Sequence, residues 1–233
     1  RTKLIYLNYP NNPTGACATP EFWDQAIAFA KTNDILLVSD APYSPLTFSG
    51  KPMSVLSRPG GKEVAVELHS MSKGFNMTGW RLGWVCGSAA AVSAFANVKD
   101  NADSGQFRAI QKAAAVALAN QAKITPLISA KYSRRLAALT ETLCALGFDA
   151  QMPGGSFYQY VGIPKATKDG MTFASGEDFS QWLITEKLIS TVPWDDAGAF
   201  VRFSATFVAP TEAEEKRVLE EVKTRLGASE FVF

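Results

Sequence analysis

The chain is poor in the residues from which common catalytic sites are built. It holds one histidine, His69, and three cysteines, Cys17, Cys86 and Cys144. A His-based metal site is therefore not expected, and a Ser or Cys hydrolase triad would have to use that single ring. The cysteines are odd in number, far apart and without C-x-x-C spacing, which argues against a disulfide framework or a zinc site and for a reducing compartment. Charge of either sign is not in excess. The 23 Lys and Arg balance 22 Asp and Glu, leaving a net charge of +1, with no electrostatic footprint for nucleic acid or an anionic membrane. No run approaches the about 18 apolar residues of a membrane span, and nothing from Arg1 onward reads as a signal peptide. A cytoplasmic protein is expected.

What is present suits a folded globular chain. Its 233 residues are 47% apolar and 19% charged without a biased tract, which excludes disordered and fibrous classes. The length fits one large domain or two modest ones at roughly 150 residues each. The sequence opens at Arg1, without Met, and enters the apolar run Leu4-Ile5-Tyr6-Leu7 at once. That run reads as a strand already inside a fold, so a preceding segment is expected.

Strand-like and helix-like stretches alternate in the first half, the pattern of a mainly parallel sheet covered by helices. Strands are expected at 3–8, 34–39, 64–68 and 81–86. Thr19-Pro20 reads as an N-cap and first-turn proline opening a helix to about Asn33. Two Ala-rich helices are expected at 88–99 and 104–121. Thr125-Pro126 repeats the cap signal and predicts a long helix to about Leu146, closed by Gly147. Beyond it come strands at 156–161, 189–193 and 199–207. Capping signals at Ser175 and Thr211 open two further helices. The division expected is an α/β domain over 1–125 and a smaller α+β domain over 126–233.

Four short motifs fall at the ends of expected strands, where open α/β sheets place their ligands. They are Asn11-Asn12-Pro13-Thr14-Gly15, Asp40-Ala41-Pro42-Tyr43, Ser70-Met71-Ser72-Lys73 with Arg81 downstream, and Arg202 within Phe200-Val-Arg-Phe-Ser204. In this order and spacing they resemble the fold-type I aminotransferases that use pyridoxal 5'-phosphate, in the branch of aspartate, tyrosine and LL-diaminopimelate aminotransferases. The likeness covers the whole chain, which corresponds to roughly the C-terminal three-fifths of such an enzyme.

The resemblance implies a role for each motif. Lys73 would hold the cofactor aldehyde and later carry the substrate's α-proton; a solvated lysine is its plain alternative. Asp40 would face the pyridine nitrogen and keep it protonated, against the alternative of a turn aspartate. Asn12 and Tyr43 would donate to the phenolic oxygen. Asn12 precedes Pro13, where a cis bond would aim a side chain inward, and Tyr43 could equally be a core aromatic. Ser70, Ser72 and Arg81 would hold the phosphate, Arg offering a two-pronged fork. The rest of the phosphate site and the aromatic that stacks on the ring are expected upstream of this sequence. Arg202 would clamp the substrate α-carboxylate, alongside Asn12; it lies on the face of an alternating strand that a structural reading gives to solvent. Family members more often have a small residue where this chain has Pro42.

The activity implied is transamination by a homodimer, from an LL-diaminopimelate-like or aspartate-like amino acid to a 2-oxo acid such as 2-oxoglutarate. The same cofactor kit serves lyases and decarboxylases, and a module without turnover is a further alternative. Other signals are discounted. Asn76-Met77-Thr78 is a chance sequon, Pro153-Gly154-Gly155 is a turn, Trp23, Trp182 and Trp194 read as core, and His69 reads as packing rather than as a general base.

Overall fold

The computed structural model describes residues 2–48 and 50–233; Arg1, where the sequence opens, lies outside them. The chain divides into two compact units, one comprising Arg1–Asn12, Ala16–Ala130 and Gly154–Ser156, the other Pro13–Gly15, Lys131–Pro153 and Phe157–Phe233.

In the first unit the order is β1 (Leu4–Asn8), α1 (Pro20–Asn33), β2 (Leu36–Asp40), α2 (Gly61–Val64), β3 (Ala65–Ser70), β4 (Gly83–Gly87), α3 (Ala89–Ala102) and α4 (Arg108–Ala119). The four strands form one sheet in the order β1-β2-β3-β4. β1, β2 and β3 are parallel, with Asn8 opposite Asp40 and Asp40 opposite Leu68. β4 returns antiparallel, pairing Ser70 with Gly83 and His69 with Trp84. The fold is thus α/β with a mainly parallel sheet, as the alternation implied. Thr19 caps α1 by accepting from the Phe22 N–H, and the helix buries Trp23, Ile27 and Ala30 against Ile35, Leu37, Val55 and Ala65. Each large apolar side chain so buried contributes about 1.5–3 kcal/mol over leaving it in water.

Several expected boundaries move, each for a local reason. β2 starts at Leu36, because Asp34 takes left-handed backbone (φ 53°) and closes α1 through its N–H to the Ala30 carbonyl. α4 starts at Arg108, after Gly105 at φ 85°. Thr125-Pro126 opens nothing. α5 (Gln121–Ala145) already contains Pro126, and the Thr125 hydroxyl donates back to the Gln121 carbonyl at 3.1 Å. A proline one turn into a helix removes a single i→i−4 bond, which that segment tolerates.

The second unit takes α5 from Lys131 on, then β5 (Tyr158–Gly162), β6 (Ala166–Thr167), α6 (Gly176–Lys187), β7 (Val192–Trp194), β8 (Phe200–Ser204), α7 (Glu212–Gly227) and β9 (Phe231–Val232). β5, β8 and β7 form an antiparallel sheet, and β6 pairs with β9. β5 begins later than expected because Ser156 sits at φ 78°. Val201 and Phe203 of β8 join Leu143, Phe148, Phe179, Leu183 and Leu226 in the core. The Thr211 capping box is present in full at the start of α7.

β8 stops at Ser204 because the backbone after it has a different partner. Arg135 of α5, 2% exposed, donates from its guanidinium to the carbonyls of Ala205, Phe207 and Ala209 at 2.7–3.0 Å. It also pairs with buried Glu215 of α7 at 3.0 Å. Burial alone would raise the Glu215 carboxyl, but the bonds from Arg134 and Arg135 outweigh it and hold the group below its usual value.

Removing one member of a buried pair strands the other. Arg135→Ala is therefore expected to cost about 3–5 kcal/mol, read as a lower urea midpoint. The depressed Glu215 carboxyl contributes stability that is fully present above its unfolded value near about 4.3 and is lost as pH falls further through the folded value. Glu215→Gln should flatten that part of the acid-unfolding curve; an unchanged curve would contradict the assignment.

Candidate active site

Parallel pairing brings the carboxyl ends of β1, β2 and β3 to one edge of the sheet, and most of the expected site residues sit at or just beyond those ends. Asn12 lies in the turn after β1, where its N–H donates to Asn8 Oδ1 at 2.8 Å. The turn closes through the Asn11 N–H to the Ala16 carbonyl, 2.8 Å. The cis peptide in this region is Tyr9–Pro10 and not the Asn12–Pro13 bond considered from the sequence.

Asp40 is the last residue of β2 and half-buried. Asn8 reaches it from β1, its side-chain amide donating to the Asp40 carbonyl at 2.8 Å and approaching the carboxylate at 3.5 Å. Burial pushes the Asp40 carboxyl above its ordinary value, partly offset by the hydroxyl of Tyr6 donating to it. The Tyr6 phenol is itself raised, by burial and then by the Asp40 charge. An adjacent positive charge would favour the ionised form of the Asp40 carboxyl.

Tyr43 is buried (5% exposed) in the turn after Asp40, before a short 3-10 helix at Ser44–Leu46. Lys73 Nζ stands 5.5 Å from the centre of its ring. Lys73 lies in the turn that follows β3, half-buried. The turn is secured by the Ser72 N–H to Ser70 Oγ at 3.1 Å and the Thr78 hydroxyl to the Ser72 carbonyl at 2.9 Å. Met71 and Phe75, on either side of the lysine, are buried in a small apolar cluster with Ala114 of α4. Arg81 is exposed, takes φ 53°, and donates to the Thr78 carbonyl at 2.9 Å.

Arg202 belongs to the second unit. It is half-buried on β8, with its guanidinium carbon 3.9 Å from the Tyr158 ring centre and 5.6 Å from that of Trp194. Ser204 and Thr206, on the same face, are exposed and bonded to each other at 2.7 Å. Trp23 and Trp182 pack in the cores as expected, whereas Trp194 flanks the arginine instead.

Two further residues take part that no sequence motif marks: Asn8, which ties the Asn11-Asn12 turn to Asp40, and Tyr6, which donates to the same carboxylate. The only signal was positional: alternation puts residues 6 and 8 on one face of β1, and neither forms a motif.

The donor set fits a phosphorylated pyridine aldehyde: a primary amine, a half-buried carboxyl disposed toward a cation, a phenol beside the amine, two serines and an exposed guanidinium, all from one end of one sheet. Comparisons with known proteins point the same way. Residues 1–222 match the family model described as aminotransferase class I and II. The LL-diaminopimelate aminotransferases of Methanococcus maripaludis and Methanocaldococcus jannaschii are 55% and 52% identical, over 99% and 100% of this chain. The chain spans 56% and 57% of their lengths. Substrate-bound BacF of Bacillus subtilis superposes with a TM-score of 0.87 at 32% identity, over 99% of this chain and 57% of that one.

Asn8→Ala should unpair the Asn12 N–H and the Asp40 carbonyl together. The expected loss is about 1–3 kcal/mol, with faster hydrogen exchange at the Asn12 amide. Unchanged exchange there would remove Asn8 from its bridging place.

Proposed function

We propose, on the premise that this chain belongs to the aminotransferase class I and II family, that it carries the lysine-bearing part of an enzyme moving an amino group from an L-amino acid to a 2-oxo acid with pyridoxal 5'-phosphate. The observation that carries the proposal is the Lys73 amine over the Tyr43 ring, at the sheet edge where Asp40 ends β2.

When bound, pyridoxal phosphate supplies an electron sink for the carbanion formed at the substrate α-carbon. The protein's own residues do the rest. Lys73 Nζ would hold the cofactor aldehyde, and its amine would be the base that takes the α-proton. The Asp40 carboxylate would hold the proton on the ring nitrogen. Asn12 and Tyr43 donate to the phenolic oxygen. Ser70, Ser72 and Arg81 hold the phosphate, with Arg81 as the delocalised cation among them. Arg202, held against the Tyr158 ring, would bind the α-carboxylate in two places and so set which bond at the α-carbon is broken, and Asn12 would be a second substrate contact. The stacking limits the guanidinium's freedom before substrate arrives, which lowers the ordering cost of binding.

The amino donor proposed is LL-diaminopimelate, by likeness to relatives of that name, with an aspartate-like donor as second choice and 2-oxoglutarate as acceptor. Residues 1–125 would form the C-terminal part of a large cofactor domain and 126–233 a small domain, in a cytoplasmic homodimer. Among the described residues no helix is long and apolar enough to cross a membrane.

Borohydride reduction of the full-length protein with pyridoxal phosphate should trap the cofactor on Lys73, found by peptide mapping. Lys73→Ala should abolish trapping and lower turnover by more than about 1,000-fold. Trapping at another lysine would overturn the site. Release of ammonia in place of stoichiometric amino transfer would replace transamination by a lyase reaction.

A further inference from the structure

His69 occupies the next-to-last position of β3, directly before the turn that carries Lys73. It is held on three sides. Its ring stacks on Trp84 of β4, 5.0 Å between centres and 14° between planes. Its Nε2 donates to Glu67 Oε2 at 2.9 Å; a carboxylate only accepts, so Nε2 carries the proton. Its carbonyl is approached by the β4 backbone so closely that a Cβ on Gly83 would lie 2.5 Å from the oxygen.

Glu67 is 4% exposed and shares a face of β3 with Ala65. Such a charge is tolerated only when its oxygens are satisfied. Its second oxygen, Oε1, accepts the Val55 N–H at 2.8 Å. Burial would raise the carboxyl, yet the bonds from His69, Ser54 and Val55 prevail and hold it below the usual range. Glu67, His69 and Cys86 each bring one ligand-type atom within 4.8 Å of the others. Both carboxylate oxygens, however, already accept from the protein, which makes this arrangement a hydrogen-bonded strut.

The strut ends where the lysine turn begins. One residue past His69, Ser70 pairs with Gly83, and the Met71 N–H donates to the Leu82 carbonyl at 3.0 Å. A cavity of about 140 Å³ is lined by His69, Ser70 and Trp84 together with Ala41, Pro42 and Phe75. The loop after Asp40 and the lysine turn therefore both meet the imidazole's surroundings.

We propose that His69 is a positioning residue: the Glu67–His69–Trp84 strut sets the departure of the Ser70–Lys73 turn from β3 and thereby the place of the Lys73 amine. The importance of that place rests on the function proposed above, whereas the mechanical link does not.

The test uses the full-length protein and the variants His69→Ala, His69→Gln and Glu67→Gln. Without cofactor, the rate at which acetic anhydride labels Lys73 is measured by mass spectrometry relative to exposed Lys62. With cofactor, pyridoxal phosphate affinity is measured by absorbance titration. Loss of one buried hydrogen-bonded partner corresponds to about tenfold. His69→Ala is expected to change the Lys73:Lys62 labelling ratio and to weaken cofactor binding by about that factor. His69→Gln, which restores a donor near Nε2, should recover most of both, and Glu67→Gln should shift both in the same sense as His69→Ala. If His69→Ala does not fold, the Gln variants carry the test: a shifted labelling ratio in Glu67→Gln supports the link. A lowered unfolding midpoint with wild-type labelling and wild-type affinity would overturn it, reducing the strut to stability alone. One equivalent of Co²⁺ bound with a thiolate charge-transfer band, and lost in His69→Ala, would also overturn it in favour of a metal site. If the wild type binds no pyridoxal phosphate while the labelling ratio still moves in the variants, the cofactor assignment fails and the positioning role stands.

Discussion

Parallel strands deliver their carboxyl ends to the same side of a sheet, and the chemistry of this molecule depends on that constraint. Asn8, Asp40 and Ser70 are the last residues of three neighbouring strands. They are distant in sequence and adjacent in space because the ladders align Asn8 with Asp40 and Asp40 with Leu68. A slip of one residue would turn Asp40 to the opposite face and separate it from Tyr6 and Asn8. Burial of Trp23, Ile27 and Ala30 over Leu37 and Ala65 penalises such a slip, so the core protects the register and the register assembles the site.

Charge is handled differently in the two units. Arg135 and Glu215 are buried and paired, with three backbone carbonyls sharing the cation. Their role is architectural, since they hold the chain that leaves β8. Asp40 is half-buried and raised, with polar neighbours that only partly offset its burial. That contrast follows the general tendency for groups disposed to bind a ligand to have their titration displaced, while structural pairs satisfy each other.

Much of this was legible in the sequence. The alternation of strand and helix and the Thr19 and Thr211 caps follow from periodicity and capping chemistry. The site motifs were legible because each is short and contiguous at a strand end. What escaped was relational. Asn8 and Tyr6 act only through a partner strand, and nothing local marks them. Pro126 misled because a proline is compatible both with a helix start and with a first turn or two already begun. The length of β8 was misjudged because Arg135, remote in sequence, takes the carbonyls that a continuing strand would have offered to a neighbour. Trp194 reads as core in the sequence, although it flanks a guanidinium.

The lysine turn is built like a peg between two nails. Met71 and Phe75 bury fully on alternate sides of a residue whose own side chain stays half in solvent. Hydrocarbon at positions devoid of reactive groups thus anchors the turn on both sides of the amine. Resizing Met71 or Phe75 would therefore change the footing of the nucleophile without touching a polar atom.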